Sequence, residues 1–173
     1  MIRLAPQSAA VLPLPQELAR TGLGLRPQRA EDRRFLRALY GAHRAAELAR
    51  VPWPEAAKTR FLDDQFAHQT MHFATNCPGA DLLVIDRTLP PMAATAIGRL
   101  YLDRTGDAWE ILEIGLVAAE QGRGLGTAII RWLMTSAADA GATGLDLHVA
   151  RDNSRAAALY QRLGFRKRPA GIK

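Results

Sequence analysis

The sequence predicts a single mixed α/β domain, a mostly antiparallel sheet with helices on both faces. Between Asp81 and Val117, three β-rich apolar runs follow one another with turn signals between them. Windows on either side of these runs carry apolar residues at helical spacing. The last run passes through a short polar connection into three glycines at alternate positions, Gly122, Gly124 and Gly126, which open directly into one of those helical windows.

At 173 residues, 48% of them apolar, the chain is long enough for one well-buried core and too short to expect two. Residues 1–21 are proline-rich and aperiodic and read as an N-terminal extension, which leaves 22–173 as the domain. Leu23 to Pro27 is a short strand candidate ending at proline. From Ala30 to Arg50, Phe35, Leu36, Leu39, Tyr40 and His43 recur at helical spacing, with Glu31 and Asp32 at the end where negative charge is favoured. Val51-Pro52-Trp53-Pro54 breaks this first helix, and a second runs from Glu55 to Ala74, burying Phe61, Leu62, Phe66 and Phe73 on one side.

Asn76-Cys77-Pro78-Gly79 is a turn, after which Asp81–Asp86, Ala93–Asp103 and Ala108–Val117 form a meander, the last two joined by a hairpin at Arg104-Thr105-Gly106-Asp107. A helix from Gly124 to Ala140 stops at Gly141, a left-handed cap candidate, and Leu145–Val149 follows as a strand. Asn153 to Leu163 is the last helix, with Asn153 as its cap candidate and Gly164 at its end.

Glycines between a strand and a helix leave backbone N–H groups uncovered beside the positive end of the helix dipole, a setting that suits phosphate. Spacing separates the motifs that use it. A P-loop needs Lys then Ser or Thr after its last glycine, and Gly126 is followed by Thr127 and Ala128. A dinucleotide fingerprint needs glycine where Thr127 stands; Asp146, about twenty residues on, is what keeps that reading in view. For the short motif alone, a turn with no ligand also competes.

Gln121-x-x-Gly124-x-Gly126 resembles the Gln/Arg-x-x-Gly-x-Gly/Ala signature of the GNAT acetyltransferases. A second landmark agrees, since Asn153, Ala157, Tyr160 and Gly164-Phe165 look like that family's Asn…Ala…Tyr…Gly-Phe ending. The resemblance covers roughly residues 22–168 and implies the GNAT fold; the departure is at the C-terminus, where Arg166 to Lys173, with Pro169 among them, leave little room for a further strand. It also implies acetyl-CoA, with its pyrophosphate on Gln121, Gly122, Arg123, Gly124, Leu125, Gly126 and Thr127. Its pantetheine arm would lie on the backbone of Leu116 and Val117, and Tyr160 would protonate the departing thiolate. Asn153 has two readings, a hydrogen bond to that arm or a helix cap. Arg123, Arg151 and Arg155 are close enough in sequence to the landmarks to meet phosphates.

Acetyl transfer to an amine needs a held donor, a deprotonated nitrogen and a proton for the thiolate, and an alkyl ammonium is almost wholly protonated at neutral pH. Strand 109–117 offers Glu110 and Glu113, an odd number apart and so expected on opposite faces. Glu113, among Leu112, Ile114 and Gly115, is expected in apolar surroundings that would suit it as a base; Glu110 matches the base position of the histone-acetylating branch. Either is equally readable as a structural acceptor. His148 is an alternative base. The expected reaction is direct transfer from acetyl-CoA to a primary amine in a ternary complex; a regulatory CoA-binding domain is the alternative within the fold.

Outside the fold, the net charge of +6 and pI near 10.2 raise nucleic acid as a partner. The arginines are scattered, with no run longer than two, and aromatics are 6%, so neither a basic stripe nor a stacking platform is visible and nucleic acid is not expected. No apolar run approaches a membrane span, and a cytoplasmic protein is expected, with homodimerisation open. Cys77 is the single cysteine, and His68 and His72, at i and i+4 without an intervening glutamate, point to no metal.

Overall fold

The computed structural model describes residues 12–150 and 153–167. In chain order these form α1 (Gln16–Arg20), β1 (Leu23–Pro27), α2 (Arg33–Ala49, entered through a 3-10 turn at Ala30–Asp32), α3 (Glu55–Asn76), β2 (Asp81–Arg87), β3 (Thr95–Asp103), β4 (Trp109–Leu116), α4 (Leu125–Asp139), β5 (Leu145–Leu147) and α5 (Ser154–Arg162). The sheet order is β1-β2-β3-β4-β5. The first four strands pair antiparallel, and β5 pairs parallel to β4 after the α4 crossover, so the sheet is mixed as predicted.

Alternation along the strands divides the two faces. Leu100 and Leu102 of β3 and Ile111 of β4 point toward α4, where they pack with Ile129, Ile130 and Leu133 in the main core. On the opposite face Leu36 of α2, Phe66 of α3 and Val84 of β2 form a smaller cluster. That face also carries Arg99 and Tyr101 of β3, so it is the polar side of the sheet. Within the stretch expected as an extension, Leu12, Leu14 and Leu18 pack against the main core. Gly141, at φ 75°, closes α4 in the expected left-handed conformation.

Two departures shape the site. β5 ends at Leu147 rather than reaching Val149, and it pairs only with Trp109–Ile111. Beyond Ile111 the outer edge of β4 therefore has no strand partner among the described residues. At the same place β4 bulges, because Leu102 pairs with Ile111 but Tyr101 with Glu113, leaving Leu112 as the extra residue. The bulge restores parity: Glu110, opposite Asp103, and Glu113, opposite Tyr101, lie on one face, not on opposite faces as strict alternation predicted.

Candidate functional site

A cleft of about 900 Å³ runs along the free edge of β4 and brings together Glu113, Leu116, Gln121, Gly122, Gly124, Gly126, Thr127, Asn153 and Tyr160, all expected from sequence. His43, Arg155 and Arg162 also line it. Its floor at one end is the connection from β4 to α4. Gln121 donates from Nε2 to the Leu116 carbonyl at 2.8 Å, tying the loop back to the strand end. Gly122 and Gly124 then adopt φ of 75° and 81°, conformations that a side chain would strain. Gly124 is the N-cap of α4, and the first intrahelical acceptance is Ala128 N–H on its carbonyl, at 2.9 Å.

The N–H groups of Leu125, Gly126 and Thr127 thus stand without intrahelical partners at the positive end of a 15-residue helix. A Cβ built at Gly124 or Gly126 would meet nothing within 4 Å, so the approach to these amides is open. The Arg155 guanidinium lies 3.7 Å from where a Gly122 Cβ would sit. An anion-binding cradle of uncovered amides with a cation above it fits a pyrophosphate. Arg151 lies outside the described residues.

Val117 is a correction. Its N–H donates to Ile97 O at 2.8 Å and its carbonyl accepts from Glu120 N at 2.9 Å, so its backbone belongs to the sheet and the turn. Alternation then turns the backbone groups of Ile114 and Leu116 to the free edge. Leu125 is buried at 7% exposure and anchors α4 in the core, and Arg123 is exposed outside the cleft lining. Asn153 caps α5, its Oδ1 accepting from Ala156 N at 3.1 Å, and also borders the cleft.

Glu113 does not stand in apolar surroundings. Its Oε1 is ion-paired with Arg99 and its Oε2 accepts from Gln69 Nε2 at 2.8 Å, because the bulge and the pleat send Ile114 to the α4 side and leave Glu113 beside the polar residues of β3. Arg99 is 1% exposed, with Tyr40 and Tyr101 rings 6.0 and 5.3 Å from its guanidinium carbon. Glu110 is not in the cleft; its Oε1 lies 2.9 Å from Nδ1 of the exposed His148, beyond the bulge. His68 and His72 are exposed on α3.

Tyr160, half-buried on α5, packs edge-on against Phe165 with centroids 5.8 Å apart. Its hydroxyl has no hydrogen-bond partner among the described residues, and burial pushes its pKa above the ordinary phenol value. The phenol is therefore protonated at neutral pH and able to donate.

Sequence reasoning missed His43 and Arg99 as site groups. His43 sits on α2 with Nε2 3.0 Å from the Leu116 carbonyl, its ring against Gly115. The readable signal was Gly115 itself, a glycine inside a strand that marks a close approach.

Comparison with known proteins bears on the family and the fold. The model of the acetyltransferase (GNAT) family matches residues 39–165. A mycothiol acetyltransferase of Parafrankia sp. (strain EAN1pec) is 37% identical over 67 residues, 39% of this chain and 21% of the relative, so the match spans about a fifth of that protein's length. Among solved structures, a PaiA N-acetyltransferase from Thermoplasma acidophilum in complex with coenzyme A has a TM-score of 0.60 at 16% identity, covering 83% of this chain and 89% of that one. A spermidine N-acetyltransferase from Vibrio cholerae, in complex with CoA and spermine, has a TM-score of 0.56 at 23% identity, covering 86% and 83%. At these identities the structural likeness is one of fold.

Proposed function

We propose, since the chain belongs to the GNAT family of acetyltransferases, that it is an acetyl-CoA-dependent N-acetyltransferase that transfers the acetyl group directly to a primary amine within a ternary complex. The observation that carries this reading is the continuity of the cleft, which joins the uncovered amides of α4, the free edge of β4, Glu113 and Tyr160 in one space.

The amides of Leu125, Gly126 and Thr127, with Arg155 above, would hold the pyrophosphate. The backbone of Ile114 and the N–H of Leu116 would take the pantetheine arm as an added strand, the Leu116 carbonyl being held by Gln121 Nε2 and His43 Nε2. Acetyl-CoA supplies the acyl group, and the protein supplies position and proton transfer. Tyr160 would give its proton to the sulfur as the C–S bond breaks. Each Glu113 oxygen keeps acceptor capacity beside Arg99 and Gln69, so the carboxylate can orient the acceptor ammonium. The acceptor would enter past α2 and α3, where Trp53, 44% exposed, packs edge-on against Phe61.

The decisive test is CoA binding to Gly126→Glu. A Cβ there meets no protein atom within 4 Å and a glutamate at a helix N-terminus does not destabilise it, yet it would cover the amides with negative charge. Unchanged CoA affinity by calorimetry refutes the placement. A chain that binds CoA but acetylates no amine in a broad panel would instead be a regulatory CoA-binding domain.

A further inference from the structure

We propose that His43 is the general base that removes the proton from the acceptor ammonium, a role that rests on the acetyl-transfer reading above. The histidine ring is exposed into the cleft and lies on the backbone of β4, where the Gly115 side chain is missing. A Cβ at Gly115 would sit 2.4 Å from Cε1 of His43 and 3.1 Å from Nδ1, so only glycine allows the ring to rest there. Close approach of imidazole to strand is thus built into the sequence at both positions.

The tautomer follows from the partner. His43 Nε2 is 3.0 Å from the carbonyl oxygen of Leu116, and a carbonyl only accepts. Neutral His43 must carry its proton on Nε2, which leaves the lone pair on Nδ1. Nδ1 has no hydrogen-bond partner among the described residues. The competing carboxylate differs on each point, since Glu113 is balanced by the buried Arg99 and holds donors on both oxygens. Of these two groups in the cleft, His43 is the one with a basic atom that receives no donor.

The protons balance without a further reactant. Nδ1 takes one proton from R–NH3⁺, leaving a neutral amine whose nitrogen forms the C–N bond to the acetyl carbon. The C–S bond breaks and Tyr160 protonates the thiolate, and the surplus proton on the new amide nitrogen returns to the tyrosinate. His43 then releases its proton to solvent, which accounts for the one proton liberated per turnover.

The ionisable groups around His43 bear on its test. Glu113, Glu120, Tyr160, Arg155 and Arg162 share the cleft, with Arg99 behind Glu113. On α2, Arg44 binds both Glu47 and the Tyr40 hydroxyl.

The experiment compares wild-type protein with His43→Gln and His43→Ala, following thiol release from acetyl-CoA across pH 6–9 with the best amine of a panel, alongside CoA calorimetry. Glutamine can still donate to Leu116 but offers no basic nitrogen. We expect both variants to lose kcat/KM about a hundredfold at neutral pH and to lose the acidic limb of the profile, with CoA affinity within about twofold. A Gln variant at wild-type rate overturns the proposal, as does an acidic limb that survives in both. A parallel loss of CoA affinity also overturns it, because the ring would then be holding the strand edge. Wild-type protein that binds CoA but turns over no amine overturns the acetyl-transfer reading, and this role with it.

Discussion

At one end of the cleft the groups offered to a ligand are backbone amides from one stretch, Gln121 to Thr127. At the other end they are side chains, His43 of α2, Glu113 of β4 and Tyr160 of α5, with Gln69 of α3 and the buried Arg99 of β3 bound behind Glu113. A cradle of amides is indifferent to side-chain chemistry and fails when something covers it. An assembled cluster fails when any member leaves, because its members compensate one another's charge and hydrogen bonds.

The largest effect should come from breaking the assembled end. Glu113→Ala leaves the Arg99 guanidinium buried without its counter-charge, and we expect a stability loss of about 3 kcal/mol, at the low end for a broken buried pair because Glu113 is itself 22% exposed. Urea denaturation measures it; a midpoint at the wild-type value would show that Arg99 finds compensation elsewhere.

Covering the cradle should act on binding alone. Gly126→Glu should weaken CoA about a hundredfold with no fall in Tm, since the position is open and helical. If Tm falls in step with affinity, the two ends are not separable in the way their construction implies.

Tyr160→Phe should slow kcat by roughly ten- to a hundredfold when chemistry limits the rate, with stability nearly unchanged because the hydroxyl lost has no partner among the described residues. The sign of its pKa shift adds a check. Burial raises the phenol, so the protonated donor persists to higher pH than a free tyrosine would allow, and kcat should show no alkaline limb from this group below about pH 10. An alkaline fall that begins well below that and vanishes in the Phe variant would contradict the burial seen here.

Glu110→Gln should have the smallest effect, less than about twofold on kcat, because its carboxylate sits with His148 outside the cleft. A larger loss than that of a folded Glu113→Gln variant would move the reaction end along β4 and sever it from Tyr160.

The cradle was legible in the sequence because its parts are contiguous. A strand, a glycine pattern and a helical window fix where the amides lie, and the short range of the chain leaves no freedom to put them elsewhere. The order of helices and strands was legible for a similar reason, being written in local periodicity, while the end of β5 was overestimated by two residues. The reaction end was legible only where the family resemblance named Tyr160 and a glutamate on the strand. It was silent about which groups surround them.

What the sequence by itself determined is therefore the set of elements from β1 to α5, their order and the anion cradle, all of which depend on neighbours in the chain, while the short α1 at Gln16–Arg20 was not read. Only the tertiary structure decided the rest. The bulge at Leu112 put Glu110 and Glu113 on one face, the early end of β5 freed the edge of β4, and the packing of α2 and α3 brought His43 onto Gly115 and Gln69 onto Glu113. A one-residue slip in strand parity reverses every side chain beyond it, and it is chosen by the balance of pairing and packing across the whole sheet, which no local window contains.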